Sequence, residues 1–237
     1  MIAFDIETTG LKPEKGDRCT IVCAEDWLTR EKYTFEFERF RQDRQQHDSL
    51  LIKMCELFDQ AESLSAFNGI KFDIPFLQKC FKLNPAQTNA WILKTVDIYD
   101  RCKRLLQPTF SLNMLCEING VPMKISSGTE AIGMAERGEW QELREYCAMD
   151  VSILNILADR RILIHPRTHS VIDLAAWSPE YLYPNAANET PEMLNKLHVD
   201  AKAFLMQSLE EKSKAEAAAK SAAKLLLRRP DPLTMLE

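Results

Sequence analysis

The sequence predicts an α/β fold, in which a sheet of five strands is flanked by helices and followed by a mostly helical C-terminal extension. Two observations carry this prediction. Short apolar or β-branched segments bounded by turn residues indicate strands, and the segments between and after them have helical periodicity. The chain has 237 residues, which is enough for one such domain and an appended element. The strand segments are residues 2–6, 19–27, 31–37, 63–68 and 94–100.

The first of these segments is apolar and is followed by Gly10 and Pro13, so it predicts a buried strand that ends in a turn. The second and third segments are separated by the polar residues 28–30 and predict a hairpin. In residues 47–61, Leu, Met and Phe recur at helical spacing. An amphipathic helix should therefore pack against the sheet after the hairpin.

The fourth strand leads through Gly69 into a predicted helix over residues 74–81. The fifth strand leads into a basic helical segment that begins near Arg101. Beyond Pro108, Ser111 is placed to cap a helix over residues 111–119.

The last part of the domain is predicted to be helical. Ser127 followed by Glu130 forms a capping box for a helix over residues 129–137. The pattern of residues 140–161 predicts one long helix. Tyr146 and Asp150 are four positions apart in it and therefore share a face.

Beyond Ile164 several prolines interrupt the sequence. We therefore divide the chain into a domain of residues 1–165 and an extension of residues 166–237. The extension begins with a proline-punctuated, irregular stretch and continues as helix. Residues 212–229 carry six basic residues and one acidic residue, so this tail either contacts a phosphate backbone or is simply solvated. The aromatic residues of the stretch either stack on bases or pack over the domain, and they are Trp177, Tyr181 and Tyr183.

Composition narrows the functional classes. A chain that is 46% hydrophobic and 27% charged is an ordinary globular protein, without an apolar run long enough to cross a membrane, and we expect a cytoplasmic location. Its seven cysteines are spread out and lack the Cys-x-x-Cys spacing of a zinc or redox site. The formal net charge of −5 argues against a general polyanion binder, although bound metal ions reverse the local charge of an acidic site.

The candidate site consists of five residues in three motifs. Asp5 and Glu7 lie two apart on the first strand, so both carboxylates point to the same face. Asp73 follows the fourth strand, and Tyr146 and Asp150 lie on the long helix. Carboxylates from different elements are the ligands that Mg²⁺ or Mn²⁺ prefers, and two such ions catalyse phosphodiester hydrolysis.

Each of these residues also has a simpler interpretation. Asp5 and Glu7 would suit a solvated strand end, and Asp73 would suit a turn or helix cap before a proline. Tyr146 would suit a core, and Asp150 would suit an exposed helix face. The occurrence of all three motifs in this order favours a joint site.

These motifs resemble those of the DEDD exonuclease superfamily, which has a ribonuclease H-like fold with a mixed sheet. Residues 5–8 resemble its Asp-x-Glu-Thr motif, residues 68–73 its Asn-x-x-x-Phe-Asp motif with altered spacing, and residues 146–150 its Tyr-x-x-x-Asp motif. Glu145 stands where the sister branch has histidine, so the chain resembles the DEDDy branch. Over residues 1–163 it is similar to the proofreading exonucleases of family B polymerases and to stand-alone YprB-like exonucleases.

The resemblance implies a two-metal 3′–5′ exonuclease that releases nucleoside 5′-monophosphates from single-stranded nucleic acid, with DNA favoured. Asp5 would contact both metal ions, Glu7 and Asp150 would complete the nucleophile-side ion, and Asp73 would hold the other through water. Tyr146 would orient the attacking water. Five further residues would contact the substrate, although a core role for Phe72 and a capping role for Ser111 are equally compatible with the sequence: Thr8, Thr9, Asn68, Phe72 and Ser111.

The residues leave two alternative functions open. An RNA-processing exonuclease, or a silent nucleic-acid-binding or assembly subunit with the same fold, would carry much of the same pattern. The partners expected are a single-stranded 3′ end and a polymerase or another replication or repair protein in trans. The extension could also support an oligomer. Asp97 is expected to have a structural role, and no histidine matches a metal-binding spacing.

Overall fold

A mixed sheet of five strands organises the domain, as the sequence predicts. The computed structural model describes residues 1–105, 109–122 and 128–177, together with scattered helical positions between 192 and 214. The strands lie in the order β3-β2-β1-β4-β5. β1 pairs antiparallel with β2 and parallel with β4, β3 pairs antiparallel with β2, and β5 pairs parallel with β4. Their bounds are β1 (Ile2–Thr8), β2 (Cys19–Asp26), β3 (Lys32–Phe35), β4 (Leu64–Ala66) and β5 (Thr95–Asp97).

Helices cover the sheet and account for most of the predicted helical segments. One of them, α3, was not predicted, although Asn84 caps it by accepting from the Ala86 amide and Pro85 occupies its first turn. The helices are α1 (Arg44–Gln60), α2 (Asp73–Phe81), α3 (Pro85–Leu93), α4 (Ile98–Leu105), α5 (Leu112–Ile118), α6 (Gly128–Arg137) and α7 (Trp140–Arg160).

The alternation of side chains along β1 separates two cores. Phe4 points to the face covered by α1, α2 and α3, where it packs against Phe58. Ala3 points to the opposite face, which is covered by α7 and its neighbours. Because side chains of a strand alternate, Asp5 and Glu7 share the face of Ala3 and lie under α7.

Helix α7 is fixed to β2 and to the turn after it. The carboxylate of Glu25 accepts hydrogen bonds from Ser152 Oγ and Asn155 Nδ2, both at 3.0 Å. Near the end of the helix, Asp159 accepts from the Trp27 indole and the Arg30 guanidinium, both at 2.7 Å. These contacts set the position of α7 along the sheet.

The segment after α7 is more regular than the sequence suggested. Residues expected to be irregular contain β7 (Val171–Asp173), which pairs with β6 (Ile162–Ile164), and a 3-10 turn over Leu174–Trp177. The side chain of Asn119 joins this hairpin to the domain by hydrogen bonds in both directions with the backbone of Ile164, at 2.9 and 2.7 Å. Ile172 and Leu174 are buried in the same core as α7. The boundary at residue 165 stays a prediction.

Several sequence-based predictions fall on residues outside the described part. They are the capping role of Ser127, the side chain of Trp177, the residues Tyr181 and Tyr183, and the basic tail of residues 212–229 apart from positions 213 and 214. The described positions between 192 and 214 are helical, in agreement with a helical extension. Within the described ranges, no helix has the length and apolar character needed to span a membrane. All seven cysteines are free and at least partly buried.

Candidate metal centre

Three carboxylates converge between β1 and α7. One oxygen each from Asp5, Glu7 and Asp150 lies within 4.8 Å of the others. Asp5 and Glu7 are half-buried on β1, and Asp150 is buried on the facing side of α7. The strand places two carboxylates on one face, and the packing of α7 supplies the third.

Two further residues of α7 lie next to this group. Tyr146 is buried one helical turn before Asp150, on the side that packs against the sheet. Cys147 Sγ lies 3.5 Å from the Asp5 carbonyl oxygen and 3.9 Å from Asp5 Oδ2. Burial raises the pKa of the Cys147 thiol well above its ordinary value, and Cys23, Asp5 and Glu7 add to the rise. The thiol therefore stays protonated beside the carboxylate.

Asp73 approaches the same end of β1 from the other face of the sheet. It is buried as the first residue of α2, and it accepts a hydrogen bond from the backbone amide of Ile6, the residue between Asp5 and Glu7. Burial raises the pKa of the Asp73 carboxyl to about 7, and the carboxylate of Asp97 contributes to the rise. Asp73 thus adjoins the three converging carboxylates without belonging to the group within 4.8 Å.

The loop before α2 holds Asp73 in this position. The carboxylate of Asp97 accepts from the backbone amides of Asn68 at 2.8 Å and Ile70 at 3.0 Å, which confirms the expected structural role of Asp97. Gly69 is required by close packing, because an added Cβ would lie 2.5 Å from Ala66 Cβ and 3.3 Å from Asp73 Oδ2. The glycine therefore allows the loop to approach both β4 and the carboxylate.

Two of the predicted substrate residues, Thr8 and Thr9, lie at the end of β1 beyond Glu7. The Thr8 hydroxyl donates to the Gly10 carbonyl at 2.6 Å, and Thr9 Oγ1 accepts from the Arg18 amide at 2.9 Å. Both hydroxyls thus take part in the loop that follows Glu7. A substrate contact of either residue stays a prediction.

The other predicted substrate residues have structural positions of their own. Asn68 adopts the left-handed conformation with φ 68° and begins the loop that Asp97 holds. Phe72 is half-buried and packs on Phe76, with ring centroids 5.6 Å apart. Ser111 caps α5, as predicted, by accepting from the Met114 amide at 3.2 Å.

The donor set fits a hard divalent cation. Oxygen ligands are those that Mg²⁺ and Mn²⁺ prefer, and a cation would offset the repulsion among three close carboxylates. Asp5, Glu7 and Asp150 could therefore hold a metal ion.

A family model for the RNase H superfamily matches residues 2–124, which is more than half of the 237 residues. The chain belongs to the RNase H superfamily. The matched range contains β1 and the start of α2, and hence Asp5, Glu7 and Asp73. Helix α7 follows the matched range and supplies Asp150. Membership of the RNase H superfamily supports a nuclease-like function.

A solved structure has a similar fold. The family B DNA polymerase from the hyperthermophilic archaeon Pyrobaculum calidifontis matches 67% of this chain and 24% of its own chain, with a TM-score of 0.51 and 17% identity. The match therefore spans about a quarter of the polymerase. At 17% identity it shows only that the two proteins share a fold. A comparison with curated proteins finds no match.

No role for Cys147 is predicted from the sequence, where the cysteines are considered only for zinc or redox spacing. The available signal was its spacing, because Cys147 lies three residues before Asp150 and therefore shares a helix face with it. The contact with Asp5 also depends on how α7 lies on the sheet. That tertiary relationship is not encoded in helical periodicity.

Proposed function

We propose that this protein is a 3′–5′ exonuclease that uses two Mg²⁺ or Mn²⁺ ions to hydrolyse single-stranded nucleic acid, with DNA favoured. The observation that carries the proposal is the convergence of Asp5, Glu7 and Asp150 within 4.8 Å. Membership of the RNase H superfamily supports hydrolysis of a phosphodiester. The expected products are nucleoside 5′-monophosphates.

The proposal gives each residue of the centre a separate role. Asp5 would contact both ions, Glu7 and Asp150 would complete the site on the nucleophile side, and Asp73 would hold the other ion through water. Such ions activate water and neutralise charge on the phosphate when they are bound. Tyr146 would orient the attacking water by a hydrogen bond, since a free phenol with a pKa of ~10 is protonated at neutral pH and cannot take up the proton of the water.

The direction of hydrolysis and the preference for DNA rest on the resemblance to DEDDy proofreading exonucleases. Two-metal chemistry itself is compatible with either direction and with either sugar. The proposed partner is a single-stranded 3′ end, together with a polymerase or a replication or repair protein in trans. A cytoplasmic location and an oligomer formed through residues 166–237 complete the proposal.

The decisive experiment compares matched DNA and RNA strands that are blocked at one end or the other. Each strand is incubated with Mg²⁺, with Mn²⁺ or with a chelator, and the products are resolved by length. We expect 5′-mononucleotides from strands with a free 3′ end, only when a metal ion is present. Faster cleavage of RNA would identify the RNA-processing alternative, and products from a blocked 3′ end would contradict the proposed direction.

The variants Asp5→Ala and Asp150→Ala test whether the converging carboxylates cause the activity. Both should lose nucleotide release in the presence of metal, because each removes a ligand. Asp48→Ala is the matched control, since its side chain is 59% exposed on α1. Full activity of either site variant, purified in the same way, would contradict the assignment, because the activity would then not come from these carboxylates.

A further inference from the structure

The Cys147 thiol contacts Asp5, a ligand of the proposed metal centre, at both the backbone carbonyl and the carboxylate. Cys147 Sγ lies 3.5 Å from the Asp5 carbonyl oxygen and 3.9 Å from Asp5 Oδ2. Both distances are within the range of hydrogen bonds that involve sulfur. The Cys147 thiol has one hydrogen, and two of the acceptors beside it, the backbone carbonyl and the carboxylate, belong to Asp5.

The surroundings of Cys147 keep its sulfur in this place. Cys23 lies directly opposite Asp5 in the antiparallel pairing of β1 with β2, on the same face of the sheet. The Cys23 thiol lies beside the Cys147 thiol and donates to the Arg144 carbonyl at 3.8 Å. Cys147 is fully buried between Cys23 and Asp5.

The same turn of α7 carries the metal ligand Asp150. Residues 147 and 150 are three apart, so a shift of the helix that moves Asp150 also moves the thiol against Asp5. A hydrogen-bond donor at position 147 thus connects Asp5 on β1 with the helix turn that carries Asp150. Weak donors such as a thiol restrict the rotation of a carboxylate without adding a charge.

We propose that Cys147 is a positioning residue that orients the Asp5 carboxylate for metal binding. This inference rests on the proposed function, because it assumes that Asp5 is a metal ligand. Residues that orient metal ligands typically change metal affinity or activity by 10- to 100-fold when they are replaced. Since a thiol is a weak donor, we expect an effect of about tenfold, at the lower end of that range.

The test measures Mn²⁺ binding to the full chain by electron paramagnetic resonance, without substrate and without reference to activity. Cys147→Ala and Cys147→Val both remove the donor, and valine keeps more of the buried volume in case alanine destabilises the helix. Cys147→Ser keeps a donor at the same position. Cys102→Ala, which removes a buried thiol from α4 in the same core, is the matched control.

We expect Mn²⁺ to bind about tenfold more weakly to the alanine and valine variants, while the serine variant and the Cys102→Ala control stay close to the unmodified protein. Thermal unfolding of each variant shows which of them are folded, and the comparison uses those. Equal affinity of the folded donor-free variant and the unmodified protein would overturn the inference. A serine variant as weak as valine would overturn it as well.

These outcomes are separable from the proposed function. If the protein degrades single strands with Mn²⁺ but the donor-free variants bind the ion normally, only the positioning role fails. If the expected order of affinities is found in a protein that releases no nucleotides, the exonuclease proposal fails and the role of Cys147 in metal binding stands. An unmodified protein that binds no Mn²⁺ contradicts both.

Discussion

Two groups of carboxylates lie at the same end of this sheet and differ in what surrounds them. Asp5, Glu7 and Asp150 come from β1 and α7 and face one another within 4.8 Å. The second group consists of Asp97, at the end of β5, and Asp100, in α4. The Asp97 carboxylate accepts hydrogen bonds from the backbone amides of Asn68, Ile70 and Asp100 itself. In the first group the negative charges lie close together. In the second group the charge of Asp97 is stabilised by the three peptide N–H groups that donate to it. The convergence of three carboxylates, rather than the number of acidic residues, marks Asp5, Glu7 and Asp150 as candidate metal ligands.

The second group supports the first. Asp97 holds the loop that begins with Asn68 and leads into Asp73, and Asp100 pairs with Lys71 of that loop at 3.0 Å. The loop determines where α2 starts and thus where Asp73 meets the Ile6 amide. Variants in the two groups should therefore separate activity from stability.

The largest expected effect is the loss of activity in Asp150→Asn. The substitution keeps the shape of the side chain but removes a charged ligand, so nucleotide release should fall below detection. In a chelator the unfolding free energy should be unchanged or higher, because repulsion among the three carboxylates decreases. Urea unfolding and a nuclease assay on the same preparation check both parts. A variant that is inactive only because it is unfolded would break the comparison.

The opposite result is expected for Asp97→Ala. Three backbone amides lose their acceptor in a residue that is only 1% exposed, so the unfolding free energy should fall by about 3 kcal/mol. Urea unfolding measures the loss, and Asp48→Ala on the surface provides the reference. A loss below about 0.5 kcal/mol, which is typical of surface substitutions, would show that these hydrogen bonds are dispensable.

Gly69→Ala tests the connection between the two groups. The new Cβ would meet the Ala66 Cβ at 2.5 Å, so the loop must move away from β4. We expect a loss of about 2 kcal/mol, as for an overpacked core, together with reduced activity because Asp73 moves with the loop. Gly16→Ala is an informative contrast, since no atom lies within 4 Å of its Cβ position and only the backbone conformation resists the change. A stable and fully active Gly69→Ala would show that the loop has no influence on the centre.

The smallest effect concerns a residue that belongs to neither carboxylate group. Nδ1 of the buried His165 accepts from the amides of Arg167 and Thr168, and burial lowers its pKa, with further contributions from Arg167 and His169. The neutral form is therefore favoured in the folded protein. Its contribution to stability is present above the unfolded pKa of ~6.5 and is lost as the pH falls through the folded pKa.

This sign predicts that the contribution of His165 to the unfolding free energy is smaller at about pH 5 than at about pH 7, whereas the raised pKa of Asp73 acts in the opposite direction. His165→Asn keeps a side-chain acceptor but does not titrate, so between about pH 7 and about pH 5 its unfolding free energy should fall by less, or rise by more, than that of the unmodified protein. Urea unfolding of both proteins at the two pH values measures the difference. An identical pH dependence of both proteins would show that His165 makes no such contribution.

The parts of the site that could be predicted from the sequence depend on local geometry. Strand alternation places Asp5 and Glu7 together, and helical spacing places Tyr146 and Asp150 together. The resemblance to DEDD exonucleases joined these pairs, and the structure brings Asp5, Glu7 and Asp150 within reach of one ion. The sheet was predictable because its strands are bounded by clear turn signals.

The missed features depend on tertiary contacts or on very short elements. β6 and β7 have three residues each, too few for a reliable alternation pattern, and Pro166 lies between them. The hairpin becomes stable because Asn119, from a distant part of the chain, pairs with Ile164. The contact between Cys147 and Asp5 likewise spans 142 positions of the chain. No local pattern could have predicted it.

The anchoring of α7 at Asp159 makes the helix a spacer of fixed length. Asp150 and Asp159 are nine residues apart in an uninterrupted helix, and Trp27 and Arg30 hold the far end. Deleting one residue between them would rotate one carboxylate by about 100° relative to the other and shorten their separation by about 1.5 Å. One of the two attachments would then be lost. Over residues 151–158 the protein should therefore tolerate exchanges of side chains far better than insertions or deletions.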